Sequence, residues 1–495
     1  MSRIAITTGR SLGTIDRKVF GGFVEHLGHC VYGGLYEEGS PLSDERGFRK
    51  DVLGLLRDLR LGVLRWPGGN FVSNYHWEDG IGPKDARPRR PELAWGGEEP
   101  NRFGTDEFLA YCAELGTEPY CCLNMGTGTL TEALAWVEYC NSARNTYWAG
   151  RRRENGRDEP YRVRYWALGN EMYGEWQVGQ LSAEEYVREA TRWARAIRML
   201  DPEAKLIGCG ETGWTEWDRV VIDGLAGLVD YHSVHLYTGS ADYWANVLAP
   251  HQAERAIASA GALLDRAAYL RGLAGPAAIA YDEWNVWYRT MTVDLAERYT
   301  HADALAVATY LNIFVRNCSR VRMANLAQMV NAIAPIVATP DGAAVQPIYY
   351  PFLLHARAAL DLAVDTHVDG GLVPPDASRW RPEASHWPHR VDDLGPFTLV
   401  DAAASVSADR RRVAVTLVNR SLAAEPAQLL LRDAAFDGAA VITTLTAGGA
   451  DDARPMPDVA AAHLATGREP AHGAVLALTL PPQSFSVIEV PVTAS

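Results

Sequence analysis

The chain has 495 residues, of which 47% are hydrophobic and 22% charged, and its formal net charge is -14. That length exceeds one ordinary core and points to a large domain of barrel size plus a smaller one. The acidic balance excludes a nucleic-acid partner, which needs a basic face. The basic run from Lys84 to Arg90 is short and proline-broken, and it reads as loop surface.

The first residues, MSRIAITTGRSLGTIDRKVF, contain no leader-like apolar stretch, and no run in the chain reaches the roughly 18 apolar residues of a membrane span. RIAITT is a strand-like run placed ahead of a longer rhythm of short apolar runs, most of them followed by helical stretches. Eight strands are predicted, in VFGGFVEHL, GVLRWPGGN, EPYCCLNMG, RVRYWALGNE, KLIGCGE, YHSVHLY, AAIAYDEWN and VRMANLAQMVN. Helical periodicity covers Phe48–Leu59, Thr105–Leu115, Thr131–Cys140, Ser182–Leu200, His251–Leu270 and Glu297–Asn317, and Ser182 with Glu185 forms a capping box. Eight strand–helix units in about 350 residues describe a (β/α)8 TIM barrel. The texture changes near Val364: the Pro-rich segment Pro374–Arg390 is followed by RRVAVTLVNRS, AQLLLRD, AAVITTLTAG, AVLALTL and FSVIEVPV. Such short alternating runs predict a C-terminal β-sandwich of jelly-roll type, with which RIAITT could pair. The expected division is therefore 17–364 for the barrel and 1–16 plus 365–495 for the sandwich. None of the seven cysteines forms a CxxC, and the adjacent Cys121 and Cys122 point to opposite faces of a strand. This fits a reduced, cytoplasmic chain without a disulfide framework.

In a barrel of this kind the catalytic groups lie at the C-terminal strand ends. Four of the ends here are unusually polar: Glu25-His26, Arg65-Trp66 before Pro67-Gly68-Gly69-Asn70, Asn170-Glu171, and Asp282-Glu283-Trp284-Asn285. A dry, unpaired carboxylate is costly, so these ends need a reason. Glycoside hydrolysis supplies one, because it requires two carboxyl groups flanking a sugar, one protonated and one ionised. Glu171 and Glu283 end strands that a barrel can bring face to face, and their surroundings should push their pKa values apart. The histidine pairs His26/His29 and His232/His235 are each three apart. On a strand that spacing sends the two rings to opposite faces, which argues against a shared metal. Gly68-Gly69 forms neither a dinucleotide fingerprint nor a P-loop, and Trp136, Trp148 and Trp166 read as core.

Longer motifs carry a resemblance. FGGFVEHLGHCVYGGLYEEGSP, LRWPGGNFVSNYHWEDGIGPKDARPRRPELAW, YRVRYWALGNEM, AYDEWNVWY, NLAQMVNAIAPI and IYYPF resemble glycoside hydrolase family 51, mainly α-L-arabinofuranosidases, over nearly the whole chain. The resemblance implies a retaining, exo-acting enzyme that needs no cofactor and removes terminal arabinofuranosyl units from oligosaccharides. It implies Glu171 as acid/base and Glu283 as nucleophile, with Arg65 orienting Glu283 and Tyr237 hydrogen-bonded to it. Glu25, Asn70 and Asn170 are implied sugar ligands, Gln346 lies at the sugar's far edge, and Trp95 and Trp287 form aromatic walls. Bacterial members are commonly hexamers, so a homo-oligomer is also implied. Departures from the pattern fall at rims: a short segment after Tyr288, a shortened stretch after Gly210, His29, His76, and the insertion Pro374–Arg390 with Trp380 and Trp387. They bear on chain length and leaving-group preference, not on the core reaction. A hydrolase of another furanoside or of a β-glucan, and a silent carbohydrate-binding barrel, are the alternative readings.

Overall fold

The computed structural model describes residues 1–288, 295–376, 390–447 and 464–494. Trp380, Trp387 and most of the expected insertion lie outside them. Eight parallel strands close into a barrel in chain order: Gly21–Phe23, Val63–Trp66, Glu118–Cys122, Tyr165–Leu168, Lys205–Gly208, Tyr231–Thr238, Ala278–Val286 and Val321–Ala327. Each coincides with one of the eight predicted runs, although Tyr231–Thr238 and Ala278–Val286 each extend one residue past theirs. Alternation along the strands separates two apolar layers. Val63, Tyr120, Cys122, Tyr165, Ala167, Ile207, Ala280 and Met323 fill the barrel interior. Leu64, Trp66, Cys121, Trp166, Leu206 and Ile279 face the surrounding helices instead. Cys121 and Cys122 thus take opposite faces, and all seven cysteines are free and buried.

Helices cover the barrel where the apolar period asked for them, with local corrections. Ser182 caps Ala183–Leu200: its hydroxyl accepts from the Glu185 amide at 3.3 Å, and the Glu185 carboxylate accepts from the Ser182 amide at 2.9 Å. The expected helix from Glu297 begins instead at His301. Thr300 is its N-cap, and the Asp303 carboxylate accepts from the Thr300 amide and hydroxyl, which fixes the start at that point. Helices Tyr147–Glu154, Glu216–Leu225, Tyr243–Leu248 and Tyr349–Ala358 complete the shell. Among the described residues no helix is long and apolar enough to cross a membrane.

The second unit is built almost wholly of strands. Ser2–Thr14 pairs antiparallel with Leu362–Asp369 and parallel with Glu425–Leu431, so the chain's first strand does join the C-terminal domain. Nine strands form one hydrogen-bonded sheet, which includes Val400–Val406, Arg412–Asn419 and Ser484–Ala494. Its ends curl together, Leu464–Gly473 lying against Val475–Leu480. A separate apolar core, with Ile4, Ile6, Leu417, Leu429 and Ile488, fills the inside of the curl. The strand beginning at Leu362 spans the expected boundary at 364. Helix His301–Arg316 packs on this sheet, and Arg316 pairs with the buried Asp401 at 3.0 Å.

Candidate active site

The polar strand ends converge at the C-terminal mouth of the barrel. Arg65 ends the second strand and is only 1% exposed. Its Nη1 donates to Glu283 Oε1 at 2.6 Å and its Nη2 to Asn170 Oδ1 at 2.6 Å. The guanidinium lies over the Phe23 ring at 4.3 Å, a cation–π contact that fixes its plane. Glu283 Oε2 accepts from the Tyr237 hydroxyl at 2.7 Å, and Trp287 packs edge-on against Tyr237. The strand carrying Glu283 has a register shift between Ala280 and Glu283. That irregularity lets the neighbouring Asp282 and Glu283 both reach the site instead of alternating away from it.

Glu171 sits just past the fourth strand at φ 42°, a left-handed backbone conformation of the kind that strained functional turns keep. Its Oε2 accepts from Trp176 Nε1 at 3.0 Å, and its Oε1 lies 2.8 Å from His235 Nδ1. A carboxyl oxygen of Glu171 and one of Glu283 lie within 4.8 Å of each other. The two glutamates do not have equivalent surroundings. Glu283 is held by a guanidinium and a phenol, Glu171 by an imidazole and an indole. Burial alone would push the Glu171 carboxyl up, but the hydrogen bond and charge of His235, helped by Trp176 and Arg65, bring it below its usual value. The expected separation of the pair therefore does not arise from a raised Glu171.

Glu25, at the end of the first strand, is buried and accepts from the Phe71 amide at 3.1 Å, Trp95 Nε1 at 2.8 Å and Gln328 Nε2 at 2.9 Å. Burial pushes its carboxyl up to about 8, against the pull of Trp95 and Phe71. Gly69 makes this possible: its φ is +60°, and a Cβ there would lie 2.1 Å from a Glu25 carboxyl oxygen. Asn70 follows at the start of a short 3-10 helix and is half-buried. Gln346 is placed differently from the residues around Glu283. Its amide is engaged by backbone, accepting from Tyr299 N and donating to the Glu297 and Ala334 carbonyls, so it braces the segment before helix His301–Arg316.

Sequence reasoning passed over several members of the site. His235 was weighed only as half of a metal pair. Its partner His232 does face away, bonded to Asp218 at 2.9 Å, while His235 faces in. The signal lay in the spacing of two: Ser233, His235 and Tyr237 share one strand face, and all three bond carboxylates of the site. Asp282 accepts from Tyr120 Oη at 2.7 Å and Ser233 Oγ at 2.5 Å, and lies 3.8 Å from Arg65 Nε. Trp176 carried no sequence signal beyond its type. Glu171, His235 and Glu283 lie close enough together to hold a metal ion. Arg65 already takes one oxygen of Glu283, and the His235 ring is strongly basic, so these groups favour carboxylate chemistry over ligation. His26 belongs to a buried network, with Nδ1 2.8 Å from Glu99 and Nε2 accepting from Trp66 Nε1; His29 lies at the surface near the Tyr32 carbonyl.

Comparison with known proteins fits this geometry. Residues 55–254 match the α-L-arabinofuranosidase 1 domain family and residues 282–454 the α-L-arabinofuranosidase C-terminal domain family. The chain is 47% identical to a probable α-L-arabinofuranosidase C of Aspergillus clavatus, over 84% of each chain. It is 35% identical to the intracellular exo-α-(1→5)-L-arabinofuranosidase 1 of Bacillus subtilis, over 85% of each. An arabinose complex of the Thermotoga maritima α-L-arabinofuranosidase superposes with a TM-score of 0.89 at 40% identity, covering 99% of this chain and 100% of that one. With that similarity running through barrel and sheet alike, the chain belongs to the α-L-arabinofuranosidases of glycoside hydrolase family 51 and is a glycoside hydrolase.

Proposed function

We propose that this enzyme removes terminal, non-reducing α-L-arabinofuranosyl residues from arabino-oligosaccharides with retention of configuration. The observation that carries the reading is the Glu171–Glu283 pair, whose nearest carboxyl oxygens lie within 4.8 Å. Retaining enzymes place their two carboxyl groups about 5–5.5 Å apart, whereas inverting ones need about 6.5–9.5 Å to admit a water. Glu283, fixed by Arg65 and Tyr237, is the nucleophile that attacks the anomeric carbon. Glu171 protonates the leaving oxygen and then deprotonates the water that frees the sugar. Arg65 holds the Asn170 carbonyl oxygen, which leaves the Asn170 NH2 to donate to the hydroxyl beside the anomeric carbon. Glu25 and Asn70 bind the remaining hydroxyls, Trp95 and Trp287 wall the site, and Gln346 secures its far edge. The free, buried cysteines and the intracellular B. subtilis relative support a cytoplasmic location. A homo-oligomer, hexameric on the family pattern, belongs to the same reading, and light scattering would test it.

Two variants separate the roles. Glu283→Ala is expected to abolish turnover of an aryl arabinofuranoside, and added azide should yield only the opposite anomer of the glycosyl azide. Glu171→Ala is expected to keep its first step on an activated aryl substrate and, with azide, to yield the retained anomer. Near-wild-type activity of Glu283→Ala would sink the assignment.

A further inference from the structure

His235 is a buried side chain to which the two-carboxylate scheme gives no task. Three carboxylates from two strand ends surround its ring. Nδ1 lies 2.8 Å from Glu171 Oε1 and 3.6 Å from Glu283 Oε2, and Nε2 lies 3.3 Å from Asp282 Oδ1. The other cation of the cluster, Arg65, grips Glu283 and lies beside Asp282, so three anions face one fixed positive charge. A neutral imidazole has a single N–H. It would present a bare lone pair either to Glu171 or to Asp282, acceptor against acceptor. Nε2 is buried without a hydrogen-bond partner and meets Asp282 by charge alone, so only the imidazolium suits both neighbours and reduces the excess charge. Asp282 is itself fixed by the Tyr120 and Ser233 hydroxyls, so it cannot turn away from the ring.

We propose that His235 is a positioning residue that stores the catalytic proton in the resting site and passes it to Glu171 when the sugar is attacked. This rests on the reading of Glu171 as acid/base. As Glu283 forms its bond to the anomeric carbon, its charge is consumed, and one anion that held the imidazolium is gone. The Nδ1–H bond breaks and an Oε1–H bond forms on Glu171. That proton then goes to the leaving oxygen, which keeps the electron pair of the broken glycosidic bond. In the second half, Glu171 takes a proton from the attacking water, and Glu283 leaves with its electron pair and regains its charge. The proton returns from Glu171 to Nδ1. One proton departs with the alcohol and one arrives from water, so His235 ends the cycle as it began. The basicity of the ring agrees with this: burial alone would lower it, but Glu283, Asp282 and Glu171 lift it to about 10.

The test compares His235→Gln and Glu171→Gln with the wild type, as kcat/KM against pH, on an arabino-oligosaccharide and on a dinitrophenyl arabinofuranoside that needs no acid. Both variants are expected to lose about 10²–10⁴-fold on the oligosaccharide, the range of general acid catalysis, and only a few-fold on the dinitrophenyl substrate. In His235→Gln the alkaline limb of the oligosaccharide profile is expected to move down by at least one pH unit. If Glu171→Gln loses equally on both substrates, the acid/base reading falls and the proton store with it. If Glu171→Gln behaves as expected while the His235→Gln profile is only scaled down, with its alkaline limb in place, His235 is merely structural and this proposal alone falls. Independently of any variant's activity, ¹⁵N-histidine NMR of the wild type is expected to show both ring nitrogens of His235 protonated between pH 6 and 8. A neutral ring at pH 7 would overturn the proposal.

Discussion

Arg65 and Glu283 meet at 2.6 Å beneath the mouth of the barrel, and the same guanidinium holds Asn170 at 2.6 Å with its other terminal nitrogen. One side chain thus ties the ends of the second, fourth and seventh strands into a single floor. A lysine would keep the charge but not the two-pronged grip. Arg65→Lys is therefore expected to lower kcat/KM on an aryl arabinofuranoside by about 10²–10³-fold, roughly 3–4 kcal/mol of transition-state stabilisation. A variant within threefold of wild type would show that charge alone suffices.

Gly69 governs how closely the second-strand loop can approach Glu25. An added methyl would have to displace the Glu25 carboxyl or move the loop away, and φ of +60° strains any side chain there. Gly69→Ala is expected to raise KM by at least about tenfold, or about 1.4 kcal/mol, since the disturbed group binds substrate. The stability loss should be modest, about 1–3 kcal/mol for the strained residue. Steady-state kinetics beside a denaturant titration separates the two effects, and an unchanged KM would remove Glu25 from the substrate-binding set.

Asp401 anchors the sheet to the barrel, with Arg316, Asn312 and Arg420 converging on its buried carboxylate. Burial alone would raise its pKa, but the two arginines hold it below the ordinary aspartate value. Because the folded value is depressed, this carboxylate stabilises the fold above its unfolded pKa of about 3.9. The contribution disappears as pH falls through the lower folded value. Asp401→Asn leaves both arginines short of their buried partner and is expected to cost about 3–5 kcal/mol at pH 7. Thermal melts of both proteins between pH 3 and 8 should show the gap constant above about pH 4 and beginning to narrow below it, while activity at 25 °C per folded molecule stays unchanged. A gap independent of pH would argue against the charge as its origin.

The barrel was legible in the sequence because each strand is a short apolar run, and four of the eight carry the unusually polar ends that drew attention to the site. The helix over Ala183–Leu200 was legible down to its cap, since Ser182 and Glu185 stand at the required spacing. Strands that depend on partners were not. Leu464–Gly473, LATGREPAHG, is polar and contains two glycines and a proline; its pairing with Ala434–Leu445 makes it a strand, not its own pattern. Val400–Val406 centres on three small alanines, and Leu362–Asp369 was cut by the boundary expected at 364. In the site, polar strand ends marked Glu171, Glu283 and Arg65, whereas Tyr237 was reached only through the family resemblance. His235 and Asp282 act through neighbours brought in from other strands, and Gln346 spends its amide on backbone. Those relations exist only once the barrel has closed.

If Glu171 and Glu283 work as a retaining pair, the first sugar released keeps its anomeric configuration. Proton NMR of the first arabinose released from an aryl α-L-arabinofuranoside by the wild type reads this directly, before the anomers equilibrate. The α-anomer is expected to appear first, with the β-anomer growing in only by mutarotation. First release of the β-anomer would mean that water attacks in a single inverting step, which contradicts Glu283 as the nucleophile.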